Sequence, residues 1–194
     1  MFLAYWAYLS FFPEKTAPNV QNDSATVIVS QQDQSQGPTS STQQAYQDIY
    51  YVQRIVDGDT IQVSEVDNEK KPTGILHTVR YIGIDTPETV APGKSVQCYG
   101  KEAAARNAEL ALNRYMRLEK DKSDTDRYSR LLRYAYLQAD QADEDEIFIN
   151  KSLVREGFAY AHAYSPDIAR KDDFKAAEAE AKAENAGLWG ACAQ

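Results

Sequence analysis

From about residue 47 onward, the hydrophobic positions follow two alternating periods. "YYVQRIV" (50–56) and "TIQVSEV" (60–66) alternate apolar and polar residues, are rich in β-branched side chains, and are separated by Asp57-Gly58-Asp59. Such alternation marks half-buried strands, and Asp-Gly between two of them is a tight-turn signal. A third run, "ILHTVRYIGI" (75–84), follows the turn-rich connection "DNEKKPTG", so the three predict an antiparallel meander. The period then changes. "KEAAARNAELALNRYM" (101–116) sets Ala, Leu and Met at helical spacing among strong helix formers. "RLLRYAYLQ" (130–138) alternates again and predicts a strand. "DEDEIFINKSLVREG" (143–157) predicts a helix with acidic residues at its N-terminal end and Gly157 as its stop. "PDIARKDDFKAAEAEAKAENAGLW" (166–189) predicts a long helix opened after Pro166-Asp167 and ended near Gly187. This order is α+β. A small closed barrel with helices packed outside is the economical arrangement, because closure removes exposed sheet edges.

The first part of the chain reads differently. Residues 1–12, "MFLAYWAYLSFF", carry no charge and are followed by Pro13, Glu14 and Lys15. The run is shorter than the roughly 20 residues a spanning helix needs and lacks the basic start and small-residue cleavage site of an export signal. It is read as the remaining part of an export signal or membrane anchor whose start is truncated or wrongly assigned; the alternative is an apolar tail packed on the domain. Residues 16–46 are rich in Gln, Ser, Thr and Asn and bury too little to offset their ordering entropy. The expected organisation is therefore an apolar segment at 1–15, a polar flexible linker at 16–46 and a folded domain at 47–194.

Composition narrows the function. The chain has 194 residues, 43% of them hydrophobic, with 21 basic against 29 acidic residues and a formal net charge of −8. A globally basic nucleic-acid binder is excluded, whereas an enzyme with its positive charge confined to one cleft is not. Two histidines are too few for a His-rich metal site, and two cysteines exclude a zinc ribbon.

The candidate chemistry sits where strands end. Asp59 lies at the first hairpin and Asp85 at the end of the third strand. In a meander, the start of strand two and the end of strand three share one end of the sheet. The two carboxylates then meet, with the Thr86 main-chain oxygen beside them, an oxygen-only set suited to a hard cation such as Ca²⁺. Taken alone, "DGD" would serve the turn only. "RYIGIDTPE" (80–88) adds Arg80 and Glu88, with Pro87 fixing the backbone. Arg80 would reach the barrel mouth only if the strand bends, and it needs an anionic partner, either a bound phosphate or a structural glutamate. "DTDRYSRLLR" (124–133) places Arg127, Arg130 and Arg133 around Tyr128, a composition suited to stacking a base and clamping a phosphate.

Five ordered motifs carry a resemblance: "VDGDT" (56–60), "RYIGIDTPE" (80–88), "YGKEA" (99–103), "DRYSR" (126–130) and "NKSLVREGFA" (150–159), with "AEAKAENAGLW" at the end. Over roughly residues 50–190 the chain resembles the staphylococcal (micrococcal) nuclease family. The resemblance implies an OB-type five-stranded barrel with three helices, cleaving DNA and RNA with Ca²⁺. It makes Asp59 and Asp85 carboxylate ligands of Ca²⁺ and Thr86 a main-chain ligand. Glu88 becomes the general base, or the residue orienting the attacking water, and Arg80 and Arg130 hold the phosphate oxygens. Arg127, replacing the family's lysine, and Tyr128 match positions that touch a terminal phosphate. In "AYAHAYSPD", one residue shorter than the family's stretch, either Tyr160 or Tyr164 takes the base-stacking role, and His162 is read as a surface or packing residue.

These readings give a consistent expectation: a monomeric nuclease with little sequence preference, favouring single-stranded substrate. A net-negative domain gains little long-range attraction to nucleic acid, so capture depends on the arginine cleft and tyrosine stacking. A catalytically silent OB-type module is the alternative; it would be expected to have lost the acid and arginine positions, which this chain retains. Cys98 and Cys192 have no partners at metal spacing. In an exported protein they would form a disulfide pinning the C-terminal tail beside the active-site loop, the alternative being two inert thiols.

Overall fold

Three strands run as a meander, β1 (Ile49–Asp57), β2 (Thr60–Val66) and β3 (Pro72–Tyr81), with Ile55 opposite Ile61 and Thr60 opposite Arg80. These and the features below come from a computed structural model that describes residues 48–89, 95–138 and 146–192. The segments expected at 1–15 and 16–46 lie outside the described residues. β1 continues the sheet onto β5 (Tyr115–Glu119), and β5 onto β6 (Leu131–Leu137). β6 then returns parallel to β3, with Val79 opposite Leu131. That last pairing closes a five-stranded barrel, and the fold is the α+β, OB-type one expected. Alternation fills it: Val52, Ile61, Val63, Val79 and Met116 are wholly buried, one face of each strand pointing inward.

Outside the barrel pack α1 (Gly100–Ala111), α2 (Ile149–Arg155) and α3 (Lys171–Ala183). They are the three helices anticipated, with a further single turn, α4 (Leu188–Ala191), after Gly187. Four boundaries differ from the sequence expectation. The helix of 101–116 stops at Ala111, Asn113 takes a positive φ of 60°, and Tyr115 starts a strand that periodicity did not predict. The helix of 143–157 is shorter, because Ile147–Phe148 (β7) pairs with β6 before α2 begins. The final helix begins only at Lys171. The third strand is the fourth and most consequential difference.

That strand does not run through to Ile84. It breaks after Tyr81 at Ile82 and Gly83, then resumes as the two-residue β4 (Ile84–Asp85), paired with β8 (Tyr160–Ala161). Gly83 has φ +82°, a conformation L side chains avoid, and a Cβ there would collide with the Phe174 ring of α3. The break is pinned by buried Asn150 of α2. Its Nδ2 donates to Ile82 O at 2.9 Å, while its Oδ1 accepts from Ala135 N at 2.9 Å. Ile82 N donates to Arg133 O at 3.0 Å, and beyond that last bond between the two segments the Asn150 amide satisfies the Ile82 carbonyl and the Ala135 N–H.

Candidate active site

The break turns Asp85 back toward Arg80. Arg80 Nη1 donates to the carbonyls of Tyr81 (2.9 Å) and Ile84 (2.8 Å), and Nη2 lies 2.7 Å from Asp85 Oδ1 and 3.0 Å from Asp59 Oδ2. The bend that Arg80 needed is therefore present, and its structural partners are the two aspartates, not a glutamate. Asp59 is fixed by its neighbours: Thr60 Oγ1 donates to its Oδ1 at 3.0 Å, and Thr86 N to its Oδ2 at 2.9 Å. Burial raises the Asp85 pKa above the ordinary carboxylate range; Arg80 pulls it down, and the Asp59 charge adds to the rise. Two acids converge on one guanidinium nitrogen, whose single charge can offset only one of them.

These acids suit a hard cation, with limits. Among the described residues no group of three or more His, Cys, Asp or Glu could hold a metal. Two carboxylates are the anionic complement, and main-chain oxygen and water would have to complete the shell. The Thr86 hydroxyl is buried and unpartnered, against Gly58, where a Cβ would lie 2.7 Å from it.

Two adjoining clefts gather the expected residues. The smaller, about 310 Å³, is lined by Asp59, Arg80, Asp85, Thr86, Glu88 and Arg130, among others. The larger, about 490 Å³, is lined by Arg127, Tyr128 and Tyr164 and shares Arg80, Asp85 and Arg130 with the first. All nine residues singled out for metal, catalysis and substrate therefore face one continuous depression. Of the two candidate tyrosines, Tyr164 lines it and is 66% exposed, while Tyr160 packs edge-on against Trp189. His162 also lines the larger cleft, stacked on Tyr164 with ring centres 4.3 Å apart. Tyr128 stands at the mouth, 64% exposed, with the Arg127 guanidinium 4.7 Å above its ring and Arg127 Nη2 donating to its hydroxyl at 2.6 Å. Arg133 is not part of this wall; it holds Asp124, with Nη2 2.8 Å from Oδ1.

Several supporting residues escaped the sequence reading. Asp126 holds Arg130 by accepting from its Nε at 2.7 Å and from its backbone N at 3.0 Å. Asp167 accepts from the N–H groups of Lys122 (2.9 Å) and Ser123 (2.7 Å) and so ties the arginine loop to the tyrosine stretch. An acid three or four residues from an arginine was the available signal for the first; nothing local marks the second.

Burial opposes ionisation of Asp126 and Asp167, but the hydrogen bonds from Arg130 and Tyr128 to the one, and from Ser123 and Lys122 to the other, hold both below the ordinary carboxylate pKa. A lowered folded pKa gives stability that is complete above the unfolded value, near pH 4, and is lost as pH falls through the folded one. Asp167→Asn is therefore expected to melt below the parent at neutral pH, by a gap that narrows below about pH 4. Melting curves from neutral to acid pH check this, and a gap of constant size would contradict it.

A barrel end carrying paired acids, two guanidiniums and exposed tyrosines is the arrangement of an enzyme acting on a phosphodiester. Comparison with known proteins agrees. The family model described as "Staphylococcal nuclease homologue" matches residues 78–191. Endonuclease YncB of Bacillus subtilis (strain 168) is 37% identical over 172 residues, 88% of this chain and 75% of the relative. A thermonuclease of Staphylococcus hyicus is 37% identical over 145 residues, 75% of this chain and 78% of the relative. The SPbeta prophage-derived endonuclease YokF of the same Bacillus is 42% identical over 138 residues; the match spans 70% of this chain but only 42% of that longer relative. The chain belongs to the staphylococcal nuclease family, and it is a phosphodiester hydrolase.

Proposed function

We propose that this nuclease is Ca²⁺-dependent, cleaves DNA and RNA with little sequence preference, favours single-stranded or frayed substrate, and works as a monomer outside the cytoplasm. The observation that carries the reading is the convergence of Asp59, Asp85, Glu88, Arg80 and Arg130 on one cleft. Asp59 and Asp85, with the Thr86 main-chain oxygen, would hold the cation. When bound, it would supply positive charge to offset the charge that builds on the scissile phosphate.

The chain's own groups divide the remaining work. Glu88 takes a proton from the attacking water or orients it. Arg80 and Arg130 donate to the equatorial phosphate oxygens, whose charge grows toward the transition state, so their contribution is larger there than in the ground state. Both guanidiniums are oriented beforehand, Arg80 by two carbonyls and Arg130 by Asp126. Arg127 and Tyr128 meet a terminal phosphate, and Tyr164 stacks on a base. Stacking tolerates any base, which supports weak sequence preference and substrates whose bases are already unpaired.

A location outside the cytoplasm is supported by the disulfide Cys98–Cys192, with Cα atoms 5.9 Å apart, since such bonds persist in oxidising compartments. A membrane tether through the N-terminal apolar segment belongs to the same proposal. Closing a loop of 94 residues stabilises the fold by about 4–5 kcal/mol in the chain-entropy view. Gel digestion of single-stranded DNA, duplex DNA and RNA, with Ca²⁺, with Mg²⁺ and with chelator, tests the reading. Cleavage of both nucleic acids in Ca²⁺ alone, fastest on single strands, is expected; equal rates with chelator would overturn it.

A further inference from the structure

Glu88 is gripped from two sides. Its N–H donates to Gln97 Oε1 at 2.8 Å, and Gln97 N–H donates back to Glu88 O at 3.0 Å. The Gln97 carbonyl in turn accepts from Gly100 N at 3.1 Å, at the start of α1. Gly100 lies so close beneath that a Cβ on it would sit 3.0 Å from Glu88 O. On the other side Thr89 Oγ1 donates to Asp57 Oδ1 at 2.7 Å, and that oxygen also accepts from Gly58 N.

The two grips differ in how well they are anchored. Asp57 is buried, and its carbonyl accepts from Asn107 of α1. Residues 95–98, by contrast, are exposed, Gln97 among them. An exposed hydrogen-bonded bracket competes with water and holds little by itself. Beyond the one bond from Gly100 N to the Gln97 carbonyl, what fastens it is the adjacent Cys98, covalently joined to Cys192. Cys192 in turn hangs from α4, whose Leu188 is buried and donates its N–H to Gly157 O at 2.8 Å. The bond therefore ties an exposed bracket to the core.

We propose that Gln97 is a positioning residue for Glu88, and that the Cys98–Cys192 bond fixes its bracket, so that turnover depends on the oxidation state of this disulfide. The inference rests on the reading of Glu88 as the group that handles the attacking water. A dithiol reductant supplies two electrons and two protons, opening the bond to two thiols while closing to a cyclic disulfide itself. The bracket then moves with the exposed segment, and Glu88 loses the alignment on which proton transfer depends.

The test compares kcat and KM on a single-stranded DNA oligonucleotide for oxidised enzyme, dithiol-reduced enzyme, the Cys98→Ser/Cys192→Ser double variant, Gln97→Met and Gln97→Glu. Each is measured in the parent and in a Glu88→Gln background, well below its own melting temperature. Reduction, the double serine variant and Gln97→Met are each expected to lower kcat about tenfold with KM little changed. Gln97→Glu, which keeps an acceptor for the Glu88 N–H, regains most of the rate. In the Glu88→Gln background none of these changes lowers kcat further. Equal losses in both backgrounds would reduce the bracket to a general structural element and overturn the proposal. An impaired Glu88→Gln enzyme, with reduced and Gln97→Met enzymes at the parent rate, would sink the positioning alone. Glu88→Gln at the parent kcat would sink the reading of the site, and the positioning with it.

Discussion

Alanine at Arg80 is expected to lower kcat on single-stranded DNA by about 10²- to 10³-fold, with a much smaller change in KM. The Arg80 side chain is 14% exposed, and its guanidinium is held by the carbonyls of Tyr81 and Ile84. It costs no reorganisation when phosphate charge develops. Because Arg80 also bridges Asp59 and Asp85, its removal leaves two carboxylates facing each other without a cation between them. Arg80→Ala should therefore melt lower than the parent in chelator and regain much of that loss when Ca²⁺ is added. Arg130→Ala belongs in the same range, and Glu88→Gln is expected to lower kcat by about 10²–10⁴-fold through loss of the proton acceptor. Steady-state kinetics on the three variants check the account, which fails if all three digest single-stranded DNA near the parent rate.

Gly83→Ala is expected to damage both the fold and the site. Two effects add: a methyl group at φ +82°, worth about 1–2 kcal/mol, and its collision with the Phe174 ring, of the order of 1–3 kcal/mol for an overfilled core. The consequence reaches the site, because the Gly83 carbonyl accepts from His162 N at 2.8 Å and the same turn carries Asp85. Lower thermal stability together with weakened activity in the surviving folded fraction is the predicted result. A variant that melts like the parent would show that the turn is more tolerant than this geometry allows.

The contrast between what could and could not be read from residues alone has physical causes. The meander was legible because Asp57-Gly58-Asp59 separates two clean alternating runs, and alternation reports a sheet with one wet face. Asp59 and Asp85 could be placed together because antiparallel pairing fixes which strand ends share an edge; Thr60 lies opposite Arg80. β5 was hidden because Leu112 and Met116 continue the helical spacing across Asn113, so the pattern carried no sign of the stop. The break at Gly83 was hidden because an apolar run reads the same whether it is straight or bent. It became visible only through Asn150 and Phe174, far along the chain. The grips on Glu88 and Arg130 belong to the same category: Gln97 and Asp126 look like ordinary loop residues until their partners are known. The family motifs supplied the roles of Arg127 and Tyr128, which loop composition alone would have left as a solvated turn.

The central claim is that Asp59 and Asp85 jointly hold the cation the reaction needs. Calorimetric titration of Ca²⁺ into the parent protein and into Asp59→Asn and Asp85→Asn tests it most directly. The account predicts one Ca²⁺ bound by the parent and binding weakened at least about tenfold in each variant, since charge count sets affinity at oxygen sites. Parent-like Ca²⁺ binding in both variants, or none in the parent, would contradict it.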